Sequence, residues 1–377
     1  MFDDFQMSFS ETLIQPERSP LIRQFTELLS PKSDDELEQM AQASAALTRK
    51  HFGKAIRLFA PVYLSNECIN SCKYCGFSRE NPILRVTLEV EQMLLEAHHL
   101  IREGFRNILL VAGEHPKFVS NGYLEECVRR LSAEVPGVSL EVGPMETGDY
   151  APLVQAGAEG LIVYQETYHK PTYAELHLSG PKKDFEWRLE TPERAYAAGF
   201  RRIGIGALFG LWDWREEAIS VARHVEYLLK HCWKSLITVS LPRMRPAAGG
   251  FQPRFFLPDR EFVQAICALR ICFPQVGIVL STREPCELRD ALVPIGVTMM
   301  SAGSLTEPGG YTGQGREALH HTVRGKAVSM EIRPPDATAE TQFEIADPRS
   351  AGEIADLLRS KGFEPVWKDW DKAILSA

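Results

Sequence analysis

Arg57-Leu-Phe-Ala-Pro-Val-Tyr-Leu64 runs directly into Ser65-Asn-Glu-Cys68-Ile-Asn-Ser-Cys72-Lys-Tyr-Cys75-Gly-Phe77, so an apolar, strand-like segment delivers three cysteines onto one short loop. Thiolates hold iron–sulfur clusters, and three closely spaced thiolates can take three corners of a cubane while leaving its fourth iron open to a ligand. A partial zinc site completed by a distant histidine is the competing use of such a cluster, and chance neighbours in a loop are a third. A structural zinc site ordinarily shows a second ligand pair at close spacing. Here Cys127, Cys232 and Cys286 stand alone, and Cys267 and Cys272 lie five apart on a helical stretch, so they share no face.

From Arg57 onward, short apolar or β-branched runs alternate with longer helical patterns, which is the sequence form of a parallel sheet with crossover helices. Eight strands are expected, at Arg57–Leu64, Asn107–Ala112, Val138–Val142, Gly160–Tyr164, Arg202–Ala207, Leu236–Ser240, Gly277–Ser281 and Val297–Ser301. Between the first two, Thr87 is placed to cap a helix whose apolar positions Val90, Met93, Leu94, Ala97, Leu100 and Ile101 step by three and four, ended by Gly104. Eight such units make a (β/α)8 barrel of the TIM type, whose reactive residues belong in the loops after the strands. The cysteine loop follows the first strand, Gly113-Glu114-His115 the second, Gly143-Pro-Met-Glu146 the third and Gln165-Glu166-Thr-Tyr-His169 the fourth. Leu241-Pro-Arg243-Met-Arg245 follows the sixth and Ser281-Thr-Arg283-Glu284 the seventh.

Residues 1–56 read as an N-terminal helical extension, broken at Pro31, around a barrel of residues 57–304. Residues 305–377, with Glu307-Pro-Gly-Gly-Tyr311 and Arg333-Pro-Pro-Asp336, read as an irregular covering segment with one late helix from Ser350 to Ser360. Hydrophobic content of 44% and charged content of 24% are ordinary for a globular core, and a formal charge of -8 supplies no basic surface for nucleic acid. No apolar run reaches membrane-spanning length, and the acidic start Met1-Phe-Asp-Asp-Phe-Gln lacks the form of a secretory signal. A cytoplasmic location is expected, where cysteines stay reduced and available to metal.

The cysteine spacing, with aromatic Tyr74 just before the last thiol, resembles the signature of the radical S-adenosylmethionine superfamily. That resemblance implies a 4Fe-4S cluster on Cys68, Cys72 and Cys75 whose open iron binds the methionine end of S-adenosylmethionine. The loop residues then divide into candidate roles. Glu114 suits the methionine ammonium group, or else a surface ion pair. Tyr74 offers a flat face for adenine, or packs on the core. Glu166 suits ribose hydroxyls, or stands solvated. Arg283 suits a bidentate clamp on a carboxylate, or a structural pair with Glu284 or another barrel carboxylate. Much of the superfamily has two glycines before the residue at Glu114, and Ala112-Gly113-Glu114 departs from that.

Seven segments carry a narrower resemblance: Leu64 through Phe77, Gly113-Glu-His115, Val163-Tyr-Gln-Glu-Thr-Tyr-His169, Phe185-Glu-Trp-Arg-Leu-Glu-Thr-Pro192, Pro242-Arg-Met-Arg-Pro246, Ser281-Thr-Arg-Glu284 and Pro365-Val-Trp-Lys-Asp-Trp-Asp371. In order, they resemble the 2-iminoacetate synthases, the tyrosine lyases of thiamine biosynthesis. The resemblance implies radical cleavage of the Cα–Cβ bond of L-tyrosine, with Glu114, Glu166 and Arg188 on S-adenosylmethionine and Ser281 and Arg283 on the tyrosine carboxylate. It also implies a flavodoxin- or ferredoxin-type electron donor and thiazole synthase as the protein that receives the product. The related maturase of iron hydrogenase requires a further cysteine site near its C-terminus, and no cysteine follows Cys286 here. A tryptophan-cleaving relative with the same barrel stays open, because the ring pocket is not legible in the sequence. The synthase that joins tyrosine to a deazaflavin precursor fits the whole-chain pattern less well, and a non-catalytic zinc-binding barrel is the non-enzyme alternative.

Overall fold

The structure, a computed structural model, describes residues 19–329 and 337–368. The expected Arg333–Asp336 turn, the Asp369-Trp-Asp371 end and the acidic start lie outside the described residues. Eight parallel strands, β1 (Ala55–Ser65), β2 (Asn107–Ala112), β3 (Gly137–Glu141), β4 (Gly160–Ile162), β5 (Arg202–Gly206), β6 (Leu236–Ser240), β7 (Gly277–Leu280) and β8 (Met299–Ser301), pair in sequence order. The barrel closes where Arg57, Leu58 and Phe59 of β1 pair with Met299, Met300 and Ser301 of β8. All eight expected strands are present, with ends shifted by up to two residues.

β1 shows why this sequence closes a barrel. Its side chains alternate: Leu58, Ala60, Val62 and Leu64 are buried in the core beneath the helices, whereas Arg57, Phe59, Pro61 and Tyr63 line the barrel interior. That is the period of two that a sheet buried on both faces requires. At eleven residues β1 is also long enough to hold three partners. Its first residues pair with Glu364–Val366, its middle with β8 and its end with β2. The register shifts between Tyr63 and Ser65, which turns the chain into the cysteine loop.

The helix after β1 differs in its start from the sequence expectation. It spans Val90–Arg102 with Glu89 as its N-cap residue, and the Gln92 side chain accepts from the Glu89 amide at 2.9 Å. Thr87 does not cap it, because its hydroxyl is taken by Ser65 Oγ at 2.7 Å in a bridge back to β1. The N-terminal helices Pro20–Leu28 and Asp34–Phe52 pack on the outer helices Trp214–His231 and Asp259–Cys272. Gln264 of the latter donates to the carbonyls of Leu28 and Ser30, both at 2.7 Å.

After β8 the chain crosses the mouth of the barrel. Gln342, Glu344 and Ala346 donate their amides, each at 2.9 Å, to Thr306, Pro246 and Thr282, so the segment is stitched to the loops after β6, β7 and β8. Its anchor is Asp347, fully buried against the fully buried Arg289, which also donates to the Ser301 carbonyl. Arg349 and the Cys286 thiol complete the contacts of that carboxylate. Two buried charges are retained only when each satisfies the other and its remaining hydrogen bonds. Asp347→Ala therefore leaves Arg289 uncompensated and should cost about 3–5 kcal/mol of stability, read as a lowered urea midpoint with an unchanged slope.

Candidate active site

Both ends of the cysteine loop are held by one buried cation. Arg85, from the short strand Ile83–Arg85, donates to the carbonyls of Asn66, Phe77 and Ser78 and to the Thr322 hydroxyl. The loop is then sewn to its surroundings by main-chain bonds. Ile69 donates to Glu114, Ser71 to Ser179 and Lys73 to Leu176, at 2.9–3.1 Å. Gly113 has to be glycine here, because a Cβ would stand 2.2 Å from the Glu67 carbonyl oxygen. The single glycine of Ala112-Gly113-Glu114 thus falls where the backbone approach is closest.

Cys68, Cys72 and Cys75 line a cavity together with Asn70, Glu114, Glu166, Lys182 and Arg188. All three are free thiols, and burial pushes the Cys72 and Cys75 thiols above the ordinary range. Among the described residues, no three of His, Cys, Asp and Glu converge on a single ion. The donor set, three thiols from one loop lining open space with charged groups, fits a 4Fe-4S cluster.

Glu114 is oriented by Asn70, whose amide donates to its carboxylate at 2.7 Å, and it lies against Gly143. Glu166 meets Lys182 at 2.7 Å and Arg188 at 3.4 Å. Burial alone would raise the Glu166 carboxyl, but those two cations reverse the effect and hold it below its ordinary value. Arg188 comes from the short helix Phe185–Leu189, started by the Asp184 cap, and also donates to the Tyr164 carbonyl at 2.7 Å. Tyr74 is placed differently. Its ring is buried with Leu176, Leu208 and Leu211, its hydroxyl pairs with His177 Nε2 at 2.8 Å, and Lys182 lies over its face. It stands behind the cavity wall and outside the lining.

Ser281 and Arg283 line an adjoining cavity, with Tyr63, Ser301, Thr306 and Phe343. The Arg283 guanidinium stacks on the Phe343 ring at 3.3 Å and makes no hydrogen bond among the described residues. Its neighbour Glu284 is engaged elsewhere, accepting from Arg243, which also pairs with Asp259. Arg243 is thus tied to structural carboxylates, and Arg283 is left facing the cavity. Val111, Glu141, Tyr164 and Gln342 line both cavities and form the wall between them.

Lys182, Glu141, Tyr63, Tyr164 and Gln342 were not singled out by the sequence reading. Lys182 lies in Gly180-Pro-Lys-Lys183, which looks like ordinary surface charge. Glu141 did carry a signal, since a carboxylate within an apolar strand at the parity of Ser139 must point to the barrel axis. Gln342 carried none, because its place depends on how the covering segment folds back.

A parallel barrel with a three-thiol loop after its first strand and a charged cavity at its mouth defines a radical S-adenosylmethionine enzyme. Residues 62–221 match the Radical SAM superfamily and residues 240–364 the Biotin and Thiamin Synthesis associated domain. The 2-iminoacetate synthase of Escherichia coli (strain K12) is 41% identical over 345 residues, covering 91% of this chain and 86% of the relative. The X-ray structure of the FeFe-hydrogenase maturase from Carboxydothermus hydrogenoformans superposes with a TM-score of 0.81 at 37% identity, over 93% of this chain and 76% of that one. Methylornithine synthase, at 21% identity and a TM-score of 0.68 over 94% of this chain and 99% of that one, shares the fold. The chain belongs to the 2-iminoacetate synthase family of radical S-adenosylmethionine lyases.

The approach of Gly143 to Glu114 gives a test of the cavity. A Cβ at residue 143 would stand 2.6 Å from Glu114 Cγ, so Gly143→Ala should push the carboxylate off Asn70. Equilibrium dialysis should show S-adenosylmethionine affinity reduced roughly tenfold, the scale of one lost charge-assisted bond, with the thermal midpoint nearly unchanged.

Proposed function

We propose that this chain cleaves the Cα–Cβ bond of L-tyrosine to 2-iminoacetate and, after reduction of the cresyl fragment, p-cresol. The observation that carries this reading is the pair of cavities sharing one wall, thiols in the first and, in the second, beside a serine, a guanidinium that has no hydrogen-bond partner among the described residues. Cys68, Cys72 and Cys75 hold one 4Fe-4S cluster per chain. When bound, the cluster and S-adenosylmethionine supply a one-electron cleavage that yields the hydrogen-abstracting 5′-deoxyadenosyl radical. Glu114 takes the methionine ammonium group, and Glu166, balanced by Lys182 and Arg188, takes ribose hydroxyls. Tyr74, behind the wall, supports the site through its hydroxyl on His177 and its ring face under Lys182. Arg283 and the Ser281 hydroxyl hold the tyrosine carboxylate, with the Phe343 ring fixing the plane of the guanidinium. The covering segment excludes water from the reacting groups.

Residues 57–304 act as the catalytic barrel, with residues 1–56 as a helical extension and 305–377 as the cover. A reduced flavodoxin- or ferredoxin-type protein supplies the electron. The imine product hydrolyses readily, so thiazole synthase is the partner that takes it for thiamine diphosphate biosynthesis. Among the described residues no helix is long and apolar enough to cross a membrane, and the cytoplasm, which keeps the thiols reduced, is the proposed location.

The deciding experiment incubates the reconstituted, reduced protein with S-adenosylmethionine and L-tyrosine and looks for p-cresol and 5′-deoxyadenosine. Both products are expected, and Cys72→Ala should abolish both. Deoxyadenosine without p-cresol would remove the tyrosine assignment, and repeating the assay with tryptophan then tests the neighbouring activity. Arg283→Lys should keep the cluster absorbance but weaken tyrosine binding roughly tenfold or more, because an ammonium cannot reproduce two parallel N–H bonds. An unchanged tyrosine affinity in that variant removes the clamp.

A further inference from the structure

Glu141 ends β3 and lies in the wall between the two cavities. Its carboxylate has no hydrogen-bond or ion-pair partner among the described residues, although charged groups surround it. Arg283 faces it from the loop after β7, Glu166 from the loop after β4, and Arg188 and Lys182 from the helices beyond. The phenols of Tyr63 on β1 and Tyr164 beyond β4 complete its surroundings.

The position constrains what it can meet, given the proposed reading of tyrosine as substrate. In an α-amino acid the nitrogen lies about 2.5 Å from the carboxyl carbon. With the carboxylate on Arg283 and Ser281, the nitrogen must lie along the same wall. In the proposed reading hydrogen is abstracted from that nitrogen, so the amino group must also face the cavity of the three thiols. The polar side chains common to both cavities are Glu141, Tyr164 and Gln342. The Gln342 amide oxygen is already taken by the Tyr63 hydroxyl at 2.7 Å. Of the three, only Glu141 can carry a negative charge at neutral pH, since burial holds the Tyr164 phenol well above its ordinary range.

We propose that Glu141 receives the α-ammonium group of tyrosine and takes one proton from it, leaving the neutral amine from which hydrogen is abstracted. One N–H bond breaks and one O–H bond forms, the carboxylate becomes the acid, and no electron changes hands. The carboxyl suits that exchange: burial raises it to about 7 against the opposing pull of Arg283. Near neutral pH such a group both accepts and returns a proton without a large energetic step. Lys182, Arg188 and Arg283 around it favour a neutral amine over an ammonium ion.

Calorimetric titration of the reconstituted holoenzyme, kept oxidised with S-adenosylmethionine present so that no turnover occurs, separates this role from a structural one. The two ligands are L-tyrosine and 3-(4-hydroxyphenyl)propionate, which lacks the amino group. Glu141→Gln should bind L-tyrosine about tenfold more weakly, as expected for loss of a charge-assisted bond, and bind the desamino analogue within about twofold of wild type. Equal weakening of both ligands, or of neither, overturns the inference. The wild-type titration is an independent control, because failure to bind L-tyrosine there overturns the substrate reading itself. In turnover, p-cresol formation by the wild-type enzyme should fall on acidification through about pH 7. Glu141→Gln should be slower and should lack that limb, and a variant that keeps both the rate and the limb overturns the proton-accepting role.

Discussion

The site depends on the four hydrogen bonds of Arg85. A loop that aims three thiols inward leaves its own carbonyls pointing back into the protein, where unpaired polar groups are costly. One guanidinium, with five donors in a rigid fork, satisfies the carbonyls of Asn66, Phe77 and Ser78 on both ends of that loop. Its remaining bond, to the Thr322 hydroxyl at 2.7 Å, reaches the small antiparallel sheet of the covering segment. Burial disfavours the charge on Arg85, and Glu67, Cys68 and Cys75 favour it. The brace is therefore best matched electrostatically when the thiols are ionised.

Charge is arranged in the same economical way on the other side of the cavity. Glu166 is held at a positive φ of 71°, unusual for a residue with a side chain. Such a conformation costs on the order of 1–3 kcal/mol and persists only where its surroundings over-determine it. Here the Leu208 amide on the Glu166 carbonyl, the bridge to Ala207 and the two cations on the carboxylate supply that constraint. The strain aims the carboxylate across the mouth, and Lys182 and Arg188 keep it ionised there. The result is a carboxylate acceptor held in one place by its own surroundings.

The barrel was legible in the sequence because its signal is repeated eight times and each strand is bounded by loop-forming residues. The cysteines, Glu114, Glu166, Ser281 and Arg283 were within reach because strand ends in this fold converge on one mouth, whereas Arg188, on the helix Phe185–Leu189, came only with the family resemblance. Their partners were not. Thr87 reads as a helix cap, yet Ser65 holds its hydroxyl, and the sequence does not choose between the two readings open for Tyr74, whereas His177 and three leucines surround it in the fold. Glu284 was as good a candidate partner for Arg283 as any until Arg243 was found to occupy it. Each of these outcomes is a competition between neighbours far apart in the chain, and local pattern does not decide such competitions.

Gly76 shows how the two halves of the site are coupled. A Cβ at that residue would lie 2.6 Å from the carbonyl oxygens of both Thr341 and Gln342. The Gly76 amide donates to the Gln342 carbonyl at 3.3 Å, so the cysteine loop and the cover meet backbone to backbone. The same Gln342 accepts the Tyr63 hydroxyl and lines both cavities, and the adjacent Phe343 carries the Arg283 guanidinium. Displacing the cysteine loop would therefore move the floor under Arg283, and displacing the cover would unseat the last cysteine's neighbour. Order in the thiol loop and order around the Arg283 guanidinium are thus linked through one backbone contact and one ring.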